Sequence, residues 1–214
     1  MSLTVSGYMR QLYKGNSYGA TVNGRSGQPA HSLFSADMKA VRRAVKELND
    51  YDYDEGEGTE LMNKVQAFVD TYNNYIDSAK GMNNDDVNRY MSKMKKLTKE
   101  HADELEDIGV TIQSSGKLKL KKKELQDTSR YDVGLLFSED AEYAKMTEKQ
   151  MKLTQRMFLR NNLNIPKQSV QTKKSGTNNN TQTTAEGLLA DSMKQQSLQQ
   201  SVNSFVGNNI DYML

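Results

Sequence analysis

Apolar residues recur at helical spacing in three successive segments, and this pattern limits what the chain can become. Phe34, Met38, Val41, Val45 and Leu48 step by 4, 3, 4 and 3. Leu61, Val65, Phe68, Tyr72, Tyr75 and Ala79 repeat the rhythm, with Val69 and Ile76 widening the stripe. Val87, Tyr90, Met94, Leu97, His101, Glu104 or Leu105, and Ile108 form the third stripe. Each is the one-sided apolar face of a helix with 3.6 residues per turn. Short loops between such stripes predict antiparallel helices packed along their length. The expected fold is therefore mainly α, an antiparallel helical bundle. Its expected core includes Val65, Phe68, Tyr72, Leu97, Leu105, Ile108, Leu136 and Phe137.

Capping residues set the expected boundaries. Ser35 is placed to cap the first helix, with Asp37 in the favourable first turn, and Asn49 with the acidic YDYDEGEG loop ends it. The second helix starts near Thr59 and stops at Gly81. The third begins at Asn84, has Asp85 and Asp86 in its first turn, and runs to Gly109. KKKELQD reads as a short helical turn, and Tyr131, Val133, Leu135, Leu136 and Phe137 as an apolar knot. Ser138 is then placed to cap a fourth helix, whose stripe is Tyr143, Met146, Gln150, Leu153 and Met157. The methionines Met146, Met151 and Met157 are read as core filling, with adaptable packing against a partner as the alternative.

Between the third stripe and the knot lies DIGVTIQSSGKLKL, residues 107–120, which alternates apolar and polar. Val110 and Ile112 come first, then Ser-Ser-Gly-Lys, then Leu118 and Leu120, the pattern of a small β-hairpin at about 110–120. Gly109 is expected to take a positive φ where the helix ends, and Gly116 to make the turn.

The apolar residues, 36% of the chain, are concentrated in the centre. A typical globular domain carries about 45–50%, glycine included. Residues 1–32, rich in Gly, Ser, Asn and Tyr, show no period and are expected to form a flexible N-terminal arm. Residues 33–165 form the bundle domain, and 166–184, a polar run with QTKKSGTNNNTQTT, read as a disordered linker. Residues 185–214 regain a weak stripe, so this segment is expected to become helical only against another chain. Leu189, Met193, Val202 and Phe205 are its candidate association face.

Several function classes find little support. The balance of 29 basic and 27 acidic side chains, net +2, argues against a nucleic-acid stripe. With no cysteine there is no disulfide or thiolate site, and no apolar run approaches a membrane span or a secretory signal. The chain is expected to be cytoplasmic or to leave the cell by a non-Sec route. GxSxG, HExxH, P-loop and Rossmann patterns are lacking, and the two histidines, His31 and His101, have no partner at catalytic or ligand spacing. The expectation is no enzyme, no cofactor, no metal and no small-molecule substrate. His101 is read as a partly buried core histidine.

Three blocks in order carry a resemblance: VQAFVDTYNNYIDSAK (65–80), ELEDIGVTIQSSGKLKLKKKEL (104–125) and VGLLFSED (133–140). Phe68, Val69, Tyr72 and Asn73, then Leu105, Ile108, Gly109, Val110, Gly116, Leu118, Leu120 and Leu125, then Val133, Leu136 and Phe137 are the matching positions. Over roughly residues 60–160 the chain resembles the C-terminal helical region of the flagellar filament-capping protein, hook-associated protein 2. It lacks that family's β-rich head domains, and Lys121 stands where an acidic residue is usual after the second strand. The resemblance implies a bundle with the hairpin packed over one end as a clamp. It also implies a non-catalytic structural or assembly protein working by helix–helix association, with itself or with a flagellar or surface component. The location implied is the bacterial flagellum or the extracellular space. A cytoplasmic export chaperone or regulatory module holding a partner helix is the alternative.

Overall fold

In a computed structural model of the protein, residues 3–162 are described. The expected linker at 166–184 and the association face of Leu189, Met193, Val202 and Phe205 lie outside the described residues. Among the described residues the fold is mainly helical with one two-stranded antiparallel sheet. Its scaffold is the long pair α3 (Ala30–Asn49) and α4 (Gly58–Gly81), joined by a tight loop and packed along their length. Against this pair lie α5 (Asp85–Glu100) and α9 (Glu142–Asn162), with α9 touching both α3 and α5. All eight expected core residues are buried. Phe68 is their hub: its ring meets Phe137 edge-on at 5.0 Å and lies 6.3 Å from Tyr143, and Phe137 in turn meets Tyr143 at 5.8 Å.

Helix ends follow local chemistry, with corrections. Asn84 caps α5 by accepting from the Val87 N–H at 3.1 Å. Ser35 caps nothing; α3 starts earlier, after Pro29, whose preset φ of −58° and carbonyl accepting from Leu33 at 3.1 Å begin the helix. The left-handed residue closing α4 is Asn83, φ 45°, rather than Gly81. The third helix is broken at His101 (φ −111°, ψ 30°), and α6 (Ala102–Asp107) restarts beyond it. Beyond the break, Leu105 and Ile108 are buried in the core.

α9 differs from expectation in phase. Ser138 closes α8 (Arg130–Phe137) instead of opening α9. Met146 and Leu153 are exposed, while Tyr143, Ala144, Thr147, Met151, Thr154 and Phe158 face inward. Small and hydroxyl-bearing side chains suit close helix approach, and Thr154 satisfies its hydroxyl on the Gln150 carbonyl at 2.8 Å. Of the apolar knot, Val133, Leu136 and Phe137 are buried, whereas Tyr131 and Leu135 face solvent.

The expected flexible arm is the main correction. Residues 4–28 are folded onto the bundle as α1 (Val5–Leu12), a 3-10 turn (Ser17–Ala20) and α2 (Val22–Arg25). Thr4 caps α1 through the Gly7 N–H, and Thr21 caps α2 through Gly24. Tyr8, Met9, Leu12 and Tyr13 are buried against α3 and α4. Polar anchoring is what sequence periodicity could not register.

Candidate functional site

The hairpin consists of β1 (Val110–Ile112) and β2 (Leu118–Leu120), with Val110 opposite Leu120 and Ile112 opposite Leu118. Its two glycines take the left-handed conformation, Gly109 at φ 76° and Gly116 at φ 81°. They differ in surroundings. A β-carbon on Gly109 would lie 2.8 Å from Glu124 Cβ and 3.0 Å from the Leu125 N, both in the short helix α7 (Lys122–Asp127). One on Gly116 would meet only the flexible end of Lys95. Gly109 therefore joins the close of α6, the start of β1 and the start of α7, and its carbonyl accepts from Lys121 N–H at 2.8 Å. Val110 and Leu118 are buried, and Ile112 and Leu120 half-buried against the core.

Asn73, on α4, fixes the hairpin to the bundle. Its Oδ1 accepts from the Leu118 N–H at 2.8 Å and its Nδ2 donates to the Leu118 carbonyl at 2.8 Å. The side-chain amide thus supplies the donor and acceptor that a third strand would offer, and it covers one edge of the two-stranded sheet. Lys117 reinforces the junction through Asp77 at 2.6 Å, and Lys95 of α5 donates to the Ser115 carbonyl at 2.8 Å. The hairpin is consequently tied to both α4 and α5.

The neighbouring Asn74 serves the N-terminal segment. Its Nδ2 donates to the Tyr13 hydroxyl at 3.1 Å, and that hydroxyl donates to Asp37 Oδ1 at 2.6 Å. Asp37 is fully buried and receives both guanidinium nitrogens of Arg25, at 2.7 and 2.8 Å. A bidentate pair of this kind is strong and directional. Burial, and then the Asp37 carboxylate, push the Tyr13 hydroxyl well above the ordinary tyrosine range. Asp37 was expected to serve the helix dipole; it instead holds the N-terminal segment down. Two adjacent asparagines on α4 thus brace two separate attachments.

Sequence reasoning placed the hairpin residues and quoted Asn73 without a role. It missed Tyr13, Arg25, Asp37 and Asn74. One signal was available: Asp37 sits three residues after Phe34 and next to Met38, on the apolar face of its helix, where an unpaired carboxylate would not be tolerated.

His101 lies 3.5 Å from Glu104 and its ring 5.3 Å from that of Tyr143. Among the described residues, no three His, Asp or Glu side chains converge to hold a metal ion. No described helix is long and apolar enough to cross a membrane. The chemistry on view is attachment, by paired amides, ion pairs and glycine turns.

Comparison with known protein families, curated proteins and solved structures finds no match to this chain.

Proposed function

We infer that the protein is a non-catalytic assembly protein, related to the bundle module of the flagellar cap, that acts by helix–helix association with itself or with a flagellar or surface component. The observation that supports this reading most is the hairpin junction. Asn73 stands in one block of the sequence that carries the resemblance and Gly109, Gly116 and Leu118 in the next, and they meet at one clamp. Such a clamp sets the angle at which one helical element leaves another, a task that needs rigidity and no reacting group. Location follows from the same reading: the flagellum or the cell exterior, reached by a non-Sec route.

Fractionation of the native bacterium tests it. The full chain should be found in sheared filaments or culture medium, and should stay inside cells whose flagellar export apparatus is inactivated. Retention in the cytosol in complex with an exported client would replace this reading with the export-chaperone one.

A further inference from the structure

Two surface features play no part in the clamp. The first is a groove of about 210 Å³ between α6, α8 and the start of α9. Ile108, Leu136 and Tyr143 lie along it, and the carboxylates Glu104, Asp107, Asp132 and Glu142 surround it. Among the described residues, Asp107, Asp132 and Glu142 have no basic side chain within ion-pair distance. Leu135, 61% exposed, borders the groove, and Tyr131, 71% exposed, follows one turn away on the same face of α8. This is an acidic groove with an uncovered apolar lip.

The second feature is the outer face of α9. Lys145, Lys149, Lys152, Arg156 and Arg160 are all exposed. At 3.6 residues per turn they fall, together with the exposed Met146 and Leu153 and with Glu142 of the groove at the helix start, within an arc of roughly 120°. Lys145 pairs with Asp140 and Lys152 with Glu148, but Lys149, Arg156 and Arg160 have no carboxylate partner among the described residues. The face is basic with two apolar anchors, the chemical complement of the groove. The basic hollow on α3 is not such a complement. Its Arg42 is held by Gln155, Arg43 by the Leu12 and Lys14 carbonyls, and Lys46 by Asp50, and no apolar residue lines the hollow there.

We propose that a second copy of this chain occupies the groove, with the outer face of its α9 set against the acidic groove and the Leu135–Tyr131 lip. The contact is head-to-tail in this proposal, the groove of one copy to the α9 face of the next, so each added copy leaves one groove and one α9 face free. Met146 and Leu153 bury their exposed surface on the lip, while the charges orient the approach and set partner choice. The proposal rests on the assembly reading above and names its interface.

Sedimentation of the full chain over a concentration series tests it. The average mass should rise past that of a dimer at low salt, and should fall as salt shortens the Debye length to about 8 Å and below. Asp107→Lys with Glu142→Lys reverses the groove; Lys149→Glu with Arg156→Glu reverses the helix. Each doubly reversed chain alone should associate at least about tenfold more weakly than the natural chain. An equimolar mixture of the two should associate again, because each restores the charge the other lacks. Circular dichroism melts of both variants should stay close to the natural chain. If a reversed chain melts early, Leu135→Ser and Met146→Ser, at exposed positions, probe the same contact and should weaken it likewise. A natural chain that stays monomeric at high concentration overturns the proposal. So does a reversed or Ser-substituted chain that associates undiminished, or a mixture that fails to associate. Association without presence in filaments or medium removes the flagellar reading and leaves this interface. A monomer shed with filaments does the opposite.

Discussion

The N-terminal segment and the hairpin are both small attachments to the same helix, α4, through adjacent asparagines, yet different physics holds them. The hairpin is specified close to where it forms. Gly109 and Gly116 supply the backbone turns, alternation sets its faces, and Asn73 only has to meet one residue, Leu118. The N-terminal segment has weak local structure, short helices capped by Thr4 and Thr21. Its position depends on a buried charge, Asp37, which Arg25 and Tyr13 must reach from 12 and 24 residues away. An attachment built on backbone geometry is expected to tolerate loss of one polar partner. One built on a buried ion pair is expected to fail when a single member is removed.

Alkali should produce the largest effect, and it bears on the N-terminal segment through Tyr13. Burial raises the hydroxyls of Tyr13, Tyr53, Tyr75 and Tyr143, and pushes Tyr72 up to about 12. The unfolded chain's tyrosines ionise near their ordinary value of 10.0. The unfolded state therefore loses protons first as pH climbs past that value, and stability present below it is lost progressively above it. Helicity should fall together with the last part of the rise in tyrosinate absorbance, that of these five hydroxyls, well beyond the ordinary tyrosine midpoint. A tyrosinate titration complete around the ordinary value, with helicity intact, would contradict the buried network.

Asp37→Ala comes next. It leaves the Arg25 guanidinium and the Tyr13 hydroxyl without their acceptor, at a cost of about 3–5 kcal/mol for breaking one side of a buried pair. Urea unfolding measures the loss. Amide exchange should show α1 losing protection ahead of the hairpin strands, and proteases should gain access at Lys14 and Arg25. Equal loss of protection in both regions would erase the distinction between the two attachments.

Within the hairpin, the glycines should separate. Gly109→Val forces a β-branched residue into a left-handed conformation, about 1–3 kcal/mol, and drives it into Glu124 and the Leu125 backbone. Gly116→Val carries similar backbone strain but meets only the end of Lys95, which can move. The melting temperature should therefore drop further for Gly109→Val than for Gly116→Val, and the reverse order would break the account of the junction. The smallest effect is expected from Asn73→Ala. It removes two neutral hydrogen bonds at a half-buried site, worth about 1–2 kcal/mol together. Chemical shifts of the hairpin should move while α1 stays protected.

What the sequence alone determined was whatever repeats or turns locally. The three stripes place Val65, Phe68, Tyr72, Leu97, Leu105 and Ile108 inside because apolar faces at helical period have to be covered. The hairpin was legible because glycine and alternation act over a few residues. Tertiary structure decided the rest. The phase of α9 is one case: Thr147 and Thr154 face inward, and Met146 and Leu153 outward, because closeness to α3 and α5 outweighs the hydrophobicity of single residues. The break at His101 is another, since a continuous stripe could not announce a change in direction. The N-terminal segment is the clearest, for a carboxylate on an apolar stripe shows that a partner is required and not which distant residue will be that partner. Pairing of Asp37 with Arg25 and Tyr13 exists only once the chain has folded back on α3, where burial makes the ion pair strong and its absence costly.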